Sequence, residues 1–139
     1  MIMRKYVAMI LVVFMVLGLA GCTKQNGGGS SEQMKKYNQI SMNEAIAMME
    51  KEEDYIILDV RTPEEFAEKH IPNAINIPNE TIGTEPILKL PEKDQLLLVY
   101  CRSGNRSKLA SEKLAELGYT KVYEFGGIND WTGEIVSEQ

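Results

Sequence analysis

Leu96-Leu97-Leu98-Val99-Tyr100-Cys101-Arg102-Ser103-Gly104-Asn105-Arg106 decides how this chain is read. Its first five residues are an unbroken apolar run, the pattern of a strand covered on both faces. A helical pattern leads out, from Ser107 to Leu117. A cysteine therefore closes a buried strand, on a tight loop that opens a helix. The first N–H groups of a helix have no intrahelical partner, and the aligned peptide dipoles put partial positive charge there. A thiolate is stabilised by such groups. Arg102 and Arg106 add two full charges. The loop reads as a reactive thiolate in an anion cradle. The alternative is a strand-end cysteine that serves only as a small apolar side chain.

Outward from this loop, strands and helices alternate. Tyr37 to Ile40 reads as a short first strand. Ser41 and Glu44 form a capping box, and Ala45, Ile46, Met48 and Met49 continue a helix to about Glu50. Tyr55-Ile56-Ile57-Leu58 is a second apolar run, ending in Asp59-Val60-Arg61. Thr62-Pro63-Glu64-Glu65 supplies an N-cap, a proline in the first turn and a second capping box, for a helix to about Lys69. His70-Ile71-Pro72-Asn73 turns, Ala74 to Ile77 is a short strand, and a short helix is expected around Pro86 to Lys89. After the cysteine loop a helix runs from about Ser103. Leu109, Ala110, Leu114 and Leu117 form its apolar side, and Gly118 follows as its C′ residue. Lys121 to Glu124 is the last strand, Phe125-Gly126-Gly127 a sharp turn, and Ile128 to Trp131 the start of a small helix with Trp131 in the core. Such alternation predicts an α/β fold, a mostly parallel sheet with helices on both faces. Ligands of such sheets bind beyond the carboxyl ends of the strands. Cys101, Asp59 and Arg61 all fall on that edge.

The first residues read as a separate unit. Arg4 and Lys5 precede an uncharged apolar run, Tyr6 to Leu19. The run is short for a membrane span, which needs about 20 residues, and fits the apolar part of a signal peptide. Leu19-Ala20-Gly21-Cys22 follows and resembles the lipobox of bacterial lipoproteins. That resemblance implies a signal peptide over 1–21 and lipidation of Cys22, which becomes the first mature residue. A tether over 22–33, with Asn26-Gly27-Gly28-Gly29-Ser30-Ser31 within it, then leads to a domain over 34–139. The domain would be held at the extracytoplasmic face of the cell membrane by several acyl chains, which anchor stably where one would not. A plain signal peptide or a short uncleaved anchor, with Cys22 incidental, is the alternative.

Charge narrows the partners. The chain carries 15 Lys+Arg and 20 Asp+Glu. Loss of 1–21 would remove Arg4 and Lys5 and no acid, leaving 13 basic against 20 acidic residues, a net charge of −7. An acidic domain without a long basic run argues against nucleic acid. The positive charge at 102–108 is local, which suits a small anion. Cysteine usage points the same way. Only Cys22 and Cys101 are present, so lipid on Cys22 leaves Cys101 as the single thiol in a compartment that favours disulfides. With one histidine, His70, and one available cysteine, no metal site is expected, and no cofactor.

Four stretches together resemble the rhodanese family of single-domain sulfurtransferases. They are Leu58-Asp59-Val60-Arg61, His70 to Pro78, Tyr100 to Ser107, and Gly126-Gly127-Ile128-Asn129-Asp130-Trp131. The resemblance covers about Tyr37 to Trp131 and implies a five-stranded, mostly parallel core. It implies that Cys101 takes sulfane sulfur from a donor as a persulfide and passes it to a nucleophile such as cyanide or a thiol. Cys101 to Arg106 makes a Cys-x-x-x-x-Arg loop. Phosphatases of the related fold have one residue more, to admit a tetrahedral phosphate, so this loop opposes a phosphatase or arsenate reductase. Its two arginines favour a doubly charged donor such as thiosulfate over mercaptopyruvate. Arg102, Ser103, Gly104, Asn105 and Arg106 are then the substrate-binding residues. Arg102 attracts the donor from outside or is a solvated surface arginine, Arg106 closes the loop or binds the donor, and Gly104 permits the tight turn. Asp59 and Arg61 support the site, tying loops together or touching substrate. His70 packs locally; a Cys–His dyad is the alternative role. A non-catalytic binding or sulfur-carrier module of the same fold is the second functional reading.

Overall fold

The computed structural model describes residues 36–83 and 85–138. The leader, Cys22 and the tether lie outside them. The described residues fall within one compact unit. Its strands are β1 (Asn38–Gln39), β2 (Tyr55–Asp59), β3 (Ile75–Asn76), β4 (Leu96–Cys101) and β5 (Lys121–Gly127). Its α-helices are α1 (Met42–Lys51), α2 (Pro63–Glu68) and α3 (Asn105–Glu116). The sheet order is β1-β5-β4-β2-β3, and every pairing is parallel. This is the five-stranded α/β fold the sequence implies, with an all-parallel rather than a mostly parallel sheet.

Central β4 is buried along its whole length, as its unbroken apolar run requires. Its residues alternate between two cores. Leu97, Val99 and Cys101 point to one, shared with Ala110 and Leu114 of α3 and with Val122. Leu98 and Tyr100 point to the other, shared with Ala45 of α1, Phe125 and Ile128. This period of two puts the Cys101 side chain on the α3 face. Both capping boxes form: Ser41 with Glu44 at α1, and Thr62 with Glu65 and Pro63 at α2.

Several expectations are corrected. α3 begins at Asn105, not near Ser103, because Gly104 has φ +99° and a right-handed helix cannot include it. The buried face of α3 is Ser107, Ala110, Ser111 and Leu114, whereas Leu109 is exposed. Two serines replace the apolar residue expected there. The helix expected around 86–89 is a turn, closed by a bond from Leu90 N–H to the Ile87 carbonyl. The short 3₁₀ turn of the region lies earlier, at Asn79–Thr81. β5 runs on through Phe125-Gly126-Gly127. The glycines are a kink inside the strand: Val99 faces Glu124 and Cys101 faces Gly127, so β5 spends one residue more than β4. That residue-count mismatch is a β-bulge, and Gly126 takes φ +96° there. Trp131 is partly buried against the second core, and its indole N–H donates to the Glu134 carbonyl.

Candidate active site

The parallel register carries Cys101 to the carboxyl edge of the sheet, where its thiol is buried at 1% exposure. The Gly104 N–H donates to Cys101 Sγ at 3.0 Å. Gly104 is the N-cap of α3 and carries no capping side chain. The open N–H groups of the first helical turn are thus left for an anion. The wall of the loop is β5 itself. A Cβ at Gly127 would collide with the Arg102 carbonyl oxygen, so a glycine is needed where the two backbones meet. The Asn129 N–H donates to that carbonyl at 3.2 Å and pins the loop.

The remaining residues singled out from the sequence separate into two groups. Arg102, Ser103 and Asn105 are exposed around the loop, and Gly104 is buried beneath it. Arg106 is half-buried and makes a fork to Glu65, at 2.7 and 2.9 Å. Its guanidinium therefore ties α3 to the first turn of α2, in addition to whatever it offers a ligand. The bonds from Arg106 bring the Glu65 carboxyl down to about 2, against the burial that opposes it.

Asp59 and Arg61 form a second, fully buried pair. Arg61 Nη2 lies 2.6 Å from Asp59 Oδ2, with Nε 3.0 Å from both carboxylate oxygens. The same Nη2 donates to the Lys69 carbonyl at 2.6 Å. Burial opposes the Arg61 charge, and the bonds to Asp59 outweigh it, so Arg61 is pushed up. Tyr100 joins the group: its hydroxyl accepts from Ile71 N–H at 3.2 Å. Burial and the bond to Asp59 push its phenol well up. His70 Nδ1 sits 2.8 Å from the Phe66 carbonyl, and the His70 ring stacks on Phe66. A carbonyl only accepts, so Nδ1 carries a proton. The His70 backbone bridges Val136. These contacts lead away from Cys101.

Three residues at the site escape the sequence reading. Glu65 looks spent in a capping box. Ser107 looks like a surface helix residue, yet it is fully buried, and its Oγ lies 3.5 Å from Cys101 Sγ as the acceptor of the thiol proton. Glu124 looks like the polar end of a strand, yet it is 1% exposed, and its Oε1 accepts from Ser107 at 2.6 Å and from Gly126 N–H at 2.9 Å. One signal was available. Val122 and Glu124 share a strand face, so Glu124 follows Val122 into the core.

A family model for the rhodanese-like domain matches residues 41–134. Thiosulfate sulfurtransferase PspE of Escherichia coli is 40% identical over 73 residues, 52% of this chain and 70% of that protein. Putative sulfur carrier protein YrkF of Bacillus subtilis is 32% identical over 112 residues, 80% of this chain and 60% of that protein. A solved structure of a rhodanese with anions from E. coli superimposes with a TM-score of 0.54 at 38% identity, over 60% of this chain and 98% of that one.

Proposed function

The chain belongs to the rhodanese-like family, and on that premise we propose that it is a sulfurtransferase acting through a persulfide on Cys101. The family includes proteins named as sulfurtransferases, which use a sulfur donor and a sulfur acceptor. The single observation that carries the finer reading is the Gly104 N–H at 3.0 Å from a buried Sγ on an uncapped helix start. A group that already bonds sulfur would also steady the negative charge of a persulfide.

Cys101 thiolate attacks the outer sulfur of thiosulfate. The new S–S bond forms as the bond to the sulfite sulfur breaks, and sulfite leaves with the electron pair. Cyanide or a thiolate then takes the outer sulfur and returns the Cys101 thiolate. Two half-reactions through a covalent intermediate give ping-pong kinetics. Exposed Arg102 draws in the anion, and Ser103, Asn105 and Arg106 line its approach. The family resemblance of the six-residue loop favours sulfur over phosphate. Incubation with thiosulfate should add one sulfur to the intact mass, and Cys101→Ser should abolish the adduct. Equal adducts in both proteins, or none in either, would sink the reading.

The similarity to YrkF favours a second reading, in which the persulfide is handed to a partner protein and turnover with cyanide is incidental. Rates with cyanide, low-molecular-weight thiols and protein thiols separate the two. The same proposal extends to the chain's address: signal peptide 1–21, lipid on Cys22, tether 22–33 and an enzyme domain 34–139 at the extracytoplasmic face of the membrane. It rests on the lipobox-like Leu19-Ala20-Gly21-Cys22. Labelling with a palmitate analogue should mark the chain, and Cys22→Ala should remove the mark; equal labelling refutes the anchor.

A further inference from the structure

We propose that Cys101 and Glu124 share one titratable proton through the Ser107 hydroxyl, and that Glu124 keeps the proton Cys101 gives up on becoming a nucleophile. The role deepens the Cys101 reading and rests on it. The three groups are linked in sequence by Ser107, on the α3 side of the sheet. The Cys101 thiol donates to Ser107 Oγ at 3.5 Å, and Ser107 Oγ lies 2.6 Å from Glu124 Oε1. A hydroxyl has one proton to donate. Ser107 Oγ is also near the carbonyls of Gly104 and Gly126, at 3.0 and 3.3 Å, but its shortest contact is the carboxylate. Ser107 thus takes a proton from sulfur while offering one to Glu124.

Among the described residues no cation forms an ion pair with Glu124. The ion pairs among the described residues join Lys51 to Glu52, Arg61 to Asp59 and Arg106 to Glu65. Its bulge contact to Gly126 N–H uses a lone pair on one oxygen. A full thiolate beside a full carboxylate, both buried and one hydroxyl apart, is opposed by their repulsion. The arrangement that avoids it carries a single charge. The S–H bond breaks, its electron pair stays on sulfur, its proton passes to Ser107 Oγ, and the Ser107 proton passes to Glu124 Oε1. Ser107 then donates back to the thiolate.

Other charged groups facing this unit are few. Tyr37 lies within electrostatic reach of Glu124; burial, then Glu112 and Glu124, push its phenol up, so it stays neutral. Lys108 and Asp130 line a small cavity, about 200 Å³, whose wall includes Glu124, Ser103 and Gly104. The Arg106 charge acts on Cys101.

The test is the rate of Cys101 alkylation by uncharged iodoacetamide from pH 4 to 10, read by intact mass on the full chain. The wild type should rise in two steps, because a coupled pair yields two macroscopic ionisations. Glu124→Gln keeps the shape and the acceptor for Gly126, but cannot hold the proton. It should rise in one step and alkylate about tenfold or more faster at pH 7, from removal of a charge roughly 6 Å away. Superimposable profiles overturn the proposal. Should Glu124→Gln not fold, the wild type labelled with ¹³C-carboxyl glutamate decides. A Glu124 signal that titrates with Cys101 and moves in Cys101→Ser supports the unit; a signal indifferent to Cys101→Ser overturns it. Coupling seen without a thiosulfate adduct would leave this unit standing and the sulfurtransferase reading fallen.

Discussion

Two carboxylates are buried at the same edge of the sheet, and they are held differently. Asp59 closes β2 with 0% exposure and faces a guanidinium at 2.6 Å. Glu124 lies in β5 with 1% exposure and faces a hydroxyl at 2.6 Å. The first is a closed electrostatic tie. Arg61 bonds Asp59 and Lys69, the Asp59 carboxylate caps the Arg61 N–H, and Asn76 bonds the Asp59 and Arg61 carbonyls. The second is a chain of hydrogen bonds that ends on the Cys101 sulfur. A buried charge with a cation holds structure; one with only neutral donors and a thiol neighbour is poised to trade a proton.

The same change, carboxylate to amide, breaks this comparison most sharply. Asp59→Asn leaves the Arg61 guanidinium buried without its counter-charge and should cost about 3–5 kcal/mol of stability. Denaturant melts would show it, and a cost below about 1 kcal/mol would mean that Arg61 finds water or another partner.

Next in size is the half-buried Glu65–Arg106 pair. The Glu65 carboxyl is held at about 2 in the folded state against an ordinary 4.5. Its contribution is therefore complete above pH 4.5 and is lost as the pH falls toward 2. With both side chains about a quarter exposed, solvent screening limits it to about 1–2 kcal/mol. Glu65→Gln should lose that much at pH 7 and flatten the slope of stability between pH 4.5 and 2. An unchanged slope would assign the acid sensitivity to other carboxylates.

Tyr100→Phe removes the hydroxyl that accepts from Ile71 N–H and bonds Asp59. It should cost about 1–2 kcal/mol through unsatisfied buried partners. Glu124→Gln should have the smallest effect on stability, within about 1 kcal/mol, since the amide oxygen still accepts from Gly126. A cost near that of Asp59→Asn would make Glu124 a structural tie like the first and erase the contrast.

How much was legible follows from which forces are local. Both capping boxes and the unbroken run of β4 are settled by neighbours in sequence, and each appears where the sequence places it. Leu109 misled because helical spacing gives an apolar side without saying where the sheet lies; α3 instead buries Ser107 and Ser111. The region 86–89 misled because a helix needs more than a few good residues to repay its nucleation. Gly126-Gly127 looked like the end of a strand because glycine marks turns and bulges alike. Only the register of β5 against β4 separates the two. Arg106 could be weighed for two duties from the loop alone, but its third needs Glu65, 41 residues away.

The sequence by itself determined the alternation of elements, the parallel sheet and the cysteine at a strand end, because period, capping and backbone freedom act over a few residues. It also held the family pattern. Tertiary structure alone decided which charges meet. Glu65 reaches Arg106 and Ser107 reaches Glu124 only because α2, α3 and β5 converge on one edge. Burial then fixes what each meeting means, since a buried carboxylate must find either a cation or a proton.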